Sequence, residues 1–204
     1  GKGKFGKRFF TEDLGIFLDE SQSEVIVVSE IDTPLAVEII YSCMMGRKNI
    51  VNLNAVSEAT LGVILKQLAR ENEVIYSVGA GDEPAAALEL VDYCIKLGLE
   101  VIAAGKGKNN PMDVYSTPDA FMDVQEKTGV SSRSIASFVD GTKTMLEMAI
   151  LSNAAGISTD RQGMHGPEAD VSRLPEVFCP KKDGGILGDI PAIDYAVGDV
   201  APGV

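Results

Sequence analysis

Lys143 and Glu147 stand four residues apart, so a helix through them places an ammonium and a carboxylate on one face, with Asp140 just ahead of it. The helix dipole opposes a lysine in the first turn, and a buried lysine is costly without a partner. The residues alone support two readings equally. In one, a partly desolvated lysine is a proton donor of adjustable acidity, suited to protonating a carbonyl oxygen as hydride arrives. In the other, Asp140, Lys143 and Glu147 form a structural ion-pair set.

A second group of chemistry-bearing residues fills the stretch 79–110, GAGDEPAAALELVDYCIKLGLEVIAAGKGKNN. Two polar glycine loops, GAGDEP at 79–84 and GKGKNN at 105–110, bracket a helix and a strand at 99–104. Glycine lets the backbone approach a ligand closely. Lys106 and Lys108 flank Gly107 and are read as a grip for a phosphate or carboxylate, through their ammonium groups and nearby backbone N–H donors. Asp82 and Glu83 can accept hydroxyls or hold a divalent metal, and they can equally cap the helix that starts at Pro84. Glu83 is read as a cap, and Asp82 is left open. His165, the sole histidine, sits in GMHGP at 163–167, where glycines suggest an accessible loop; a structural role is favoured there. Met44, Met45, Met145 and Met148 fall at helical spacing and are read as core packing.

The elements that must position these groups alternate at short intervals. A helix capped by Thr11 leads to a strand at 25–29, whose branched apolar run predicts a parallel strand covered on both faces. Helix from Thr33 to about Gly46, strand 49–53, helix opening at Ser57, and strand 74–78 follow. This pattern predicts a doubly wound parallel sheet with the post-strand loops 29–34, 54–58, 79–84 and 105–110 along one edge, where such sheets bind ligands. Beyond Asn110 the chain turns polar, with helices near 119–127 and 132–138. An almost wholly apolar, and therefore buried, helix runs over 143–155, and an irregular tail begins at 163.

Composition narrows the function. The 204 residues carry a net charge of −12, which argues against general affinity for nucleic acid or anionic membranes; an anionic ligand needs local cations. The basic cluster Lys2, Lys4, Lys7 and Arg8 is read as a solvated arm. The GxGxxG spacing at Gly1, Gly3 and Gly6 is discounted because no strand precedes it. Three scattered cysteines without a CxxC pair argue against a disulfide framework or zinc site and suit a reducing cytoplasm. No signal peptide or spanning segment is visible. The layout reads as the middle of a longer polypeptide.

Six motifs together carry a resemblance: IVNLNAVSEA at 50–59, YSVGAGDEP at 76–84, AAGKGKN at 103–109, VDGTK at 139–143, GMHGP at 163–167 and APG at 201–203. With them the chain resembles the homoserine dehydrogenase-like oxidoreductases. The nearest branch is the bacterial reductoisomerase-like proteins that form methylerythritol phosphate from deoxyxylulose phosphate and often carry a C-terminal SAF-type domain. The resemblance implies an incomplete Rossmann-like doubly wound parallel sheet followed by an α+β substrate and dimerisation region. Residues 1–78 would be the C-terminal part of the nucleotide-binding domain, 79–165 the substrate-binding and catalytic region, and 166–204 an irregular tail leading to a further segment.

It also implies NAD- or NADP-dependent hydride transfer on a small polar, anionic or phosphorylated hydroxy or keto compound, with or without isomerisation, in a cytoplasmic homodimer or homotetramer. Lys143 would be the general acid or base, oriented by Asp140 and assisted by Lys106. Gly81, Asp82, Glu83, Lys108, Asn109, Glu147 and His165 would line the substrate, while Ser29, Glu30, Asn54, Ala55 and Gly79 would face the cofactor. Homoserine dehydrogenases carry an Asn-Lys pair where this chain has Asn54-Ala55, which argues against homoserine as substrate and leaves Lys106 or Lys108 to supply the charge. The acids in 79–84, absent from the Gly-Gly-Ile-Pro-like loop of those enzymes, suggest a hydroxylated substrate and a divalent metal. The alternative from another class is a non-catalytic fragment or sugar-acid binding and assembly module.

Overall fold

The computed structural model describes residues 10–20 and 22–198. The basic cluster Lys2, Lys4, Lys7 and Arg8, the Gly1, Gly3 and Gly6 spacing and the 201–203 motif lie outside the described residues. The chain divides into two compact units, Gly1–Gly79 and Ala80–Val204.

In the first unit, helix α1 (Leu14–Glu20) is followed by strand β1 (Val25–Val28), helix α2 (Thr33–Met45), β2 (Asn49–Asn52), α3 (Ala55–Glu71) and β3 (Tyr76–Val78). The strands pair in parallel in the order β1-β2-β3, with Ile26 opposite Ile50 and Ile50 opposite Tyr76. Local chemistry sets the helix starts. Asp32 Oδ1 accepts from Leu35 N at 2.9 Å with Pro34 in the first turn, and Asn54 Oδ1 accepts from Ser57 N at 2.8 Å. Asp13, rather than Thr11, caps α1, because its Oδ1 accepts from Ile16 N while Thr11 Oγ1 accepts from Asp13 N. Ile26, Val28, Ile50 and Tyr76 bury against Ala36, Ile40, Cys43 and Met44 of α2 and Leu65 and Ala69 of α3. Only one face of β1 is covered. Val25 and Val27 are exposed, so the expectation of a strand buried on both sides fails for that face.

The second unit contains α4 (Glu83–Lys96), β4 (Ala103–Lys108), α5 (Met122–Thr128), α6 (Ser132–Val139), α7 (Thr142–Ala155), α8 (Leu174–Val177) and β5 (Ala192–Val197). The helices expected near 119–127 and 132–138 are present as α5 and α6. Two expectations are overturned. Residues 105–108 of the basic glycine loop are strand, and β4 pairs in parallel with β5 in a sheet separate from β1–β3. The stretch 105–110 is therefore not a post-strand loop of a single doubly wound sheet, since 105–108 belong to a strand of a different one. The tail from 163 is not irregular throughout, since it supplies β5, buried at all six positions. Glycine and lysine are weak strand formers, and here the pairing partner overrides propensity. Gly105 sits opposite Asp194, and a Cβ added there would run into the Asp194 main-chain carbonyl.

Helix α7 packs between α4, α6 and the β4–β5 sheet, burying Met148, Ile150 and Leu151 as its composition predicted. Ala87 and Val91 of α4 and Ile193, Tyr195 and Val197 of β5 complete this core with Met148 and Leu151. Of the four methionines expected to pack, Met44 and Met148 are fully buried and Met145 lies against the core, whereas Met45 is exposed. The corner between α6 and α7 requires Gly141, at φ 87°, where a side chain would meet Met112 and Met145. No described helix is long and apolar enough to cross a membrane.

Gly105→Ala forces a methyl into the β5 backbone and is expected to destabilise the protein by about 1–3 kcal/mol or more. Gly46→Ala, whose Cβ meets only ordinary contacts at 3.5 Å, should be nearly neutral by comparison in a denaturant titration. Equal midpoints for the two variants would refute the tight approach of β4 and β5.

Candidate functional site

Helix α7 carries Lys143 one turn ahead of Glu147, and the helical register turns both side chains toward β4. Strand β4 supplies Lys106, and the start of α4 supplies Glu83. Lys106 Nζ donates to Glu147 Oε2 at 2.5 Å and to Glu83 Oε1 at 3.0 Å. Lys143 Nζ lies 3.1 Å from Glu147 Oε1. Each oxygen of the Glu147 carboxylate therefore has its own ammonium. Burial is graded across the group: Glu147 is 1% exposed, Lys106 10% and Lys143 37%, so Lys143 is the member that reaches solvent.

The acidities follow from this packing. Burial alone would lower the Lys106 ammonium, yet hydrogen bonds and charge from Glu147 and Glu83 hold it above its ordinary value. Burial would raise the Glu83 carboxyl, but hydrogen bonds from Lys106, from its own backbone N–H and from Asp82 bring it down to about 2. Asp82 moves the other way. Burial, its hydrogen bond to Glu83 and the charges of Glu147 and Glu83 raise it above the usual carboxylate range. The two neighbouring acids are thus pushed in opposite directions, Glu83 down and Asp82 up. Asp82 occupies the N-cap position of α4 without a side-chain cap bond, and Glu83 is committed to Lys106 rather than serving mainly as the cap expected of it.

Asp82, Glu83 and Glu147 each offer an oxygen within 4.8 Å of the others, a spacing that suits a cation. The Lys106 ammonium already bonds two of the three. A divalent metal would fit this donor set only by displacing Lys106.

The structure brings Lys143, Lys106, Glu147, Glu83 and Asp82 together, as the sequence suggested. It distributes the others differently. Asp140 ends α6, and its Oδ1 accepts from Thr142 N at 2.7 Å, turning the chain into α7; the ion pair of Lys143 runs to Glu147. The Phe138 ring lies beneath Lys143, with Nζ 4.8 Å from its centroid. Lys108 does not present its ammonium to a ligand. Only 3% exposed, it donates to Asn110 O and Oδ1 and to Pro111 O, and burial followed by the charge of Lys106 lowers the pKa of its ammonium. Asn109 is exposed beside it, and Gly81, at φ 87°, has open space around its Cα.

His165 is not in an open loop. Its Nδ1 lies 2.7 Å from Asp194 Oδ2 and its Nε2 lies 3.2 Å from Asp160 Oδ2, with the side chain 15% exposed. Asp194 also accepts from the backbone N–H groups of His165, Gly166 and Tyr195. It stands on the face of β5 opposite Ile193 and Tyr195. That face borders a cavity of about 600 Å³ floored by Ala103, Gly105 and Ala196 and walled by Leu174 and Phe178. Asp194 does carry a signal in the sequence, as a lone acid inside the apolar run AIDYAV. Asp160 and Phe138 carried none.

The cofactor candidates belong to the first unit. Asn54 Nδ2 donates to Glu30 O at 2.8 Å and to Ile31 O at 3.3 Å, tying together the loops that follow β1 and β2. Ser29 and Glu30 lie in the first of those loops, and Ala55 opens α3. At Gly79, a Cβ would collide with the Leu53 side chain. Beneath Asn54, Asn52 Nδ2 donates to Ser57 Oγ at 3.0 Å and Tyr76 Oη at 2.9 Å, and burial pushes the Tyr76 phenol up. These groups sit at the C-terminal ends of parallel strands, the edge at which open α/β sheets take ligands.

Residues 81–204 match the family model of the oxidoreductase DRL catalytic domain. The chain belongs to this family, and the match takes in every member of the Lys106–Glu147 cluster. Solved structures similar to it include S. aureus homoserine dehydrogenase at pH 6.5, with a TM-score of 0.40 and 17% identity over 74% of this chain and 38% of that one. The same enzyme at pH 7.0 gives 0.43 and 18% over 76% of this chain and 39% of that one. The chain thus spans well under half the length of these structures. No curated protein matches it.

Because Glu83 titrates at about 2 in the folded protein against an ordinary 4.5, its pairing stabilises the fold fully above pH 4.5 and ceases to do so as pH falls toward 2. Wild type should melt above Glu83→Gln at pH 6, and the gap should close between pH 4.5 and 2. A gap independent of pH would contradict the Lys106 pairing.

Proposed function

We propose that this chain is the catalytic region of an NAD- or NADP-dependent oxidoreductase acting on a small polar, anionic or phosphorylated hydroxy or keto compound. One observation carries the reading: a buried carboxylate, Glu147, holds a solvent-reaching lysine by one oxygen and a buried lysine by the other. When bound, the nicotinamide supplies or accepts hydride. Lys143 gives a proton to the carbonyl oxygen in reduction, or removes it from the hydroxyl in oxidation. Glu147 holds the Lys143 ammonium in place. Lys106 remains within its two carboxylates and lends positive potential to the site, where an oxyanion develops. Asp82, disposed to keep a proton, is a second proton carrier and can serve an isomerisation as well as a hydride transfer. Asn54 and the loop carrying Ser29 and Glu30 are the candidates to hold the nicotinamide end. A divalent metal, if used, would take the three carboxylates in place of Lys106.

The mutual satisfaction of Lys106, Lys143, Glu83 and Glu147 also supports a second reading, a non-catalytic binding or assembly module whose ion pairs are structural.

Titration calorimetry of the full-length protein with NADPH and NADH, followed by nucleotide oxidation with keto acids and ketose phosphates, separates the two. Lys143→Met, which keeps an unbranched chain of similar length and leaves Lys106 on Glu147, should lower turnover about 100-fold or more with a melting temperature near that of wild type. Binding of neither nucleotide, or full turnover in the variant, would sink the oxidoreductase reading. A large loss of stability would support the structural one.

A further inference from the structure

Lys108 is a buried cation whose three ammonium protons face three neutral oxygens: Asn110 O at 3.0 Å, Asn110 Oδ1 at 2.8 Å and Pro111 O at 3.3 Å. A lysine used in this way binds no ligand; it fixes a loop. With its Oδ1 held by Lys108, the Asn110 amide must point its Nδ2 outward, and that group donates to Phe138 O at 3.2 Å. Asp113 N reaches Val139 O at 3.0 Å, so the same loop grips two successive carbonyls at the end of α6. Those carbonyls are among the last-turn acceptors that a helix leaves without internal partners. Phe138 in turn places its ring under Lys143 Nζ at 4.8 Å. A cation over an aromatic face is attracted by the ring quadrupole, so the ring restrains an otherwise solvent-reaching ammonium.

We propose that Lys108 and Asn110 are positioning residues for Lys143, acting through the Phe138 carbonyl and ring. Glu147 fixes Lys143 from within α7. The Lys108–Asn110–Phe138 chain fixes it from outside, and it couples the end of β4 to the start of α7 across the Asp140–Gly141 corner. Lys143 is then held between a carboxylate and a ring, with its remaining solid angle open to a substrate oxygen. The functional meaning rests on Lys143 being the proton carrier, whereas the geometric claim stands without it.

The test is competitive labelling of amines with isotopic acetic anhydride at one pH, on the full chain, read at Lys143 by peptide mass spectrometry. It needs no substrate. Phe138→Leu and Asn110→Ala should each change the Lys143 labelling rate by about threefold, the scale of an exposed cation–π contact, while Lys48 and Lys96 stay at their wild-type rates. Phe138→Tyr, which keeps the ring, should restore the wild-type rate. Asn110 is exposed and Asn110→Ala leaves Lys108 its two backbone acceptors, Asn110 O and Pro111 O, while unchanged Lys48 and Lys96 rates show that the variant stays folded. A wild-type Lys143 rate in either Phe138→Leu or Asn110→Ala overturns the proposal, as does failure of Phe138→Tyr to rescue. Turnover by a Lys143→Met enzyme would overturn the catalytic reading alone and leave these rates unchanged.

Discussion

The second unit depends on keeping one carboxylate charged where water hardly reaches. Glu147 lies inside the helix that forms the centre of the core, and stripping an ion of its hydration costs several kcal/mol. Two ammonium groups offset that cost, one near in the chain and one far. Lys143 is local, but Lys106 is brought in by a strand from another part of the sequence, and Glu83 by the first residue of a third element. Truncating Lys106, the buried cation, leaves a buried carboxylate short of its partner, for which losses of about 3–5 kcal/mol are typical, whereas the solvent-reaching Lys143 can be lost while Glu147 keeps Lys106. The cluster therefore fixes how α4, β4 and α7 pack, and it makes the site inseparable from the core.

The same accounting runs through the rest of the molecule. Among the described residues no buried side-chain nitrogen or oxygen lacks a partner. Asn52, 2% exposed in the first unit, is surrounded by Ser57, Tyr76 and the Asn54 backbone. Asp194 collects three backbone N–H groups as well as His165. Such networks are costly when half satisfied and specifying when complete. Here they stand beneath the post-strand loops in the first unit and beneath the 163–167 turn in the second, holding irregular segments as firmly as a packed core would.

Much of this was legible in the residues. Alternation of branched apolar runs with helical segments places β1 through β2 to within a residue, whereas α3 starts at Ala55, two residues before the expected Ser57, because the Asn54 side chain caps it. The Lys143–Glu147 pair follows from helical spacing, and of the two lysines in the 105–110 stretch Lys106 reaches Glu147 while Lys108 does not. The misreadings share a cause, a partner distant in sequence. GKGK looks like a loop until β5 lies beside it, and AIDYAV looks like a tail until β4 does. Lys108 reads as a ligand for anions because nothing local reveals that Asn110 and Pro111 consume its donors. Asp140, which the family resemblance links to Lys143, has its carboxylate on the Thr142 N–H, and the aromatic ring of Phe138 lies under the ammonium.

The pairing of β4 with β5 bears on how the molecule comes into being. Between Lys108 and Ala192 lie every helix from α5 to α8, and the two strands can meet only after that long loop has closed, an entropic cost that precedes any reward from the ladder. On the ribosome, β4 must wait with a bare edge until β5 emerges, while the first unit, whose strands are joined by short crossovers, is free to fold. An unpaired edge is where strands of separate chains join. The interval before β5 arrives is thus the stage at which this protein is most exposed to aggregation, and the lysines at the end of β4 are the charged kind of residue that keeps a waiting edge apart from its neighbours.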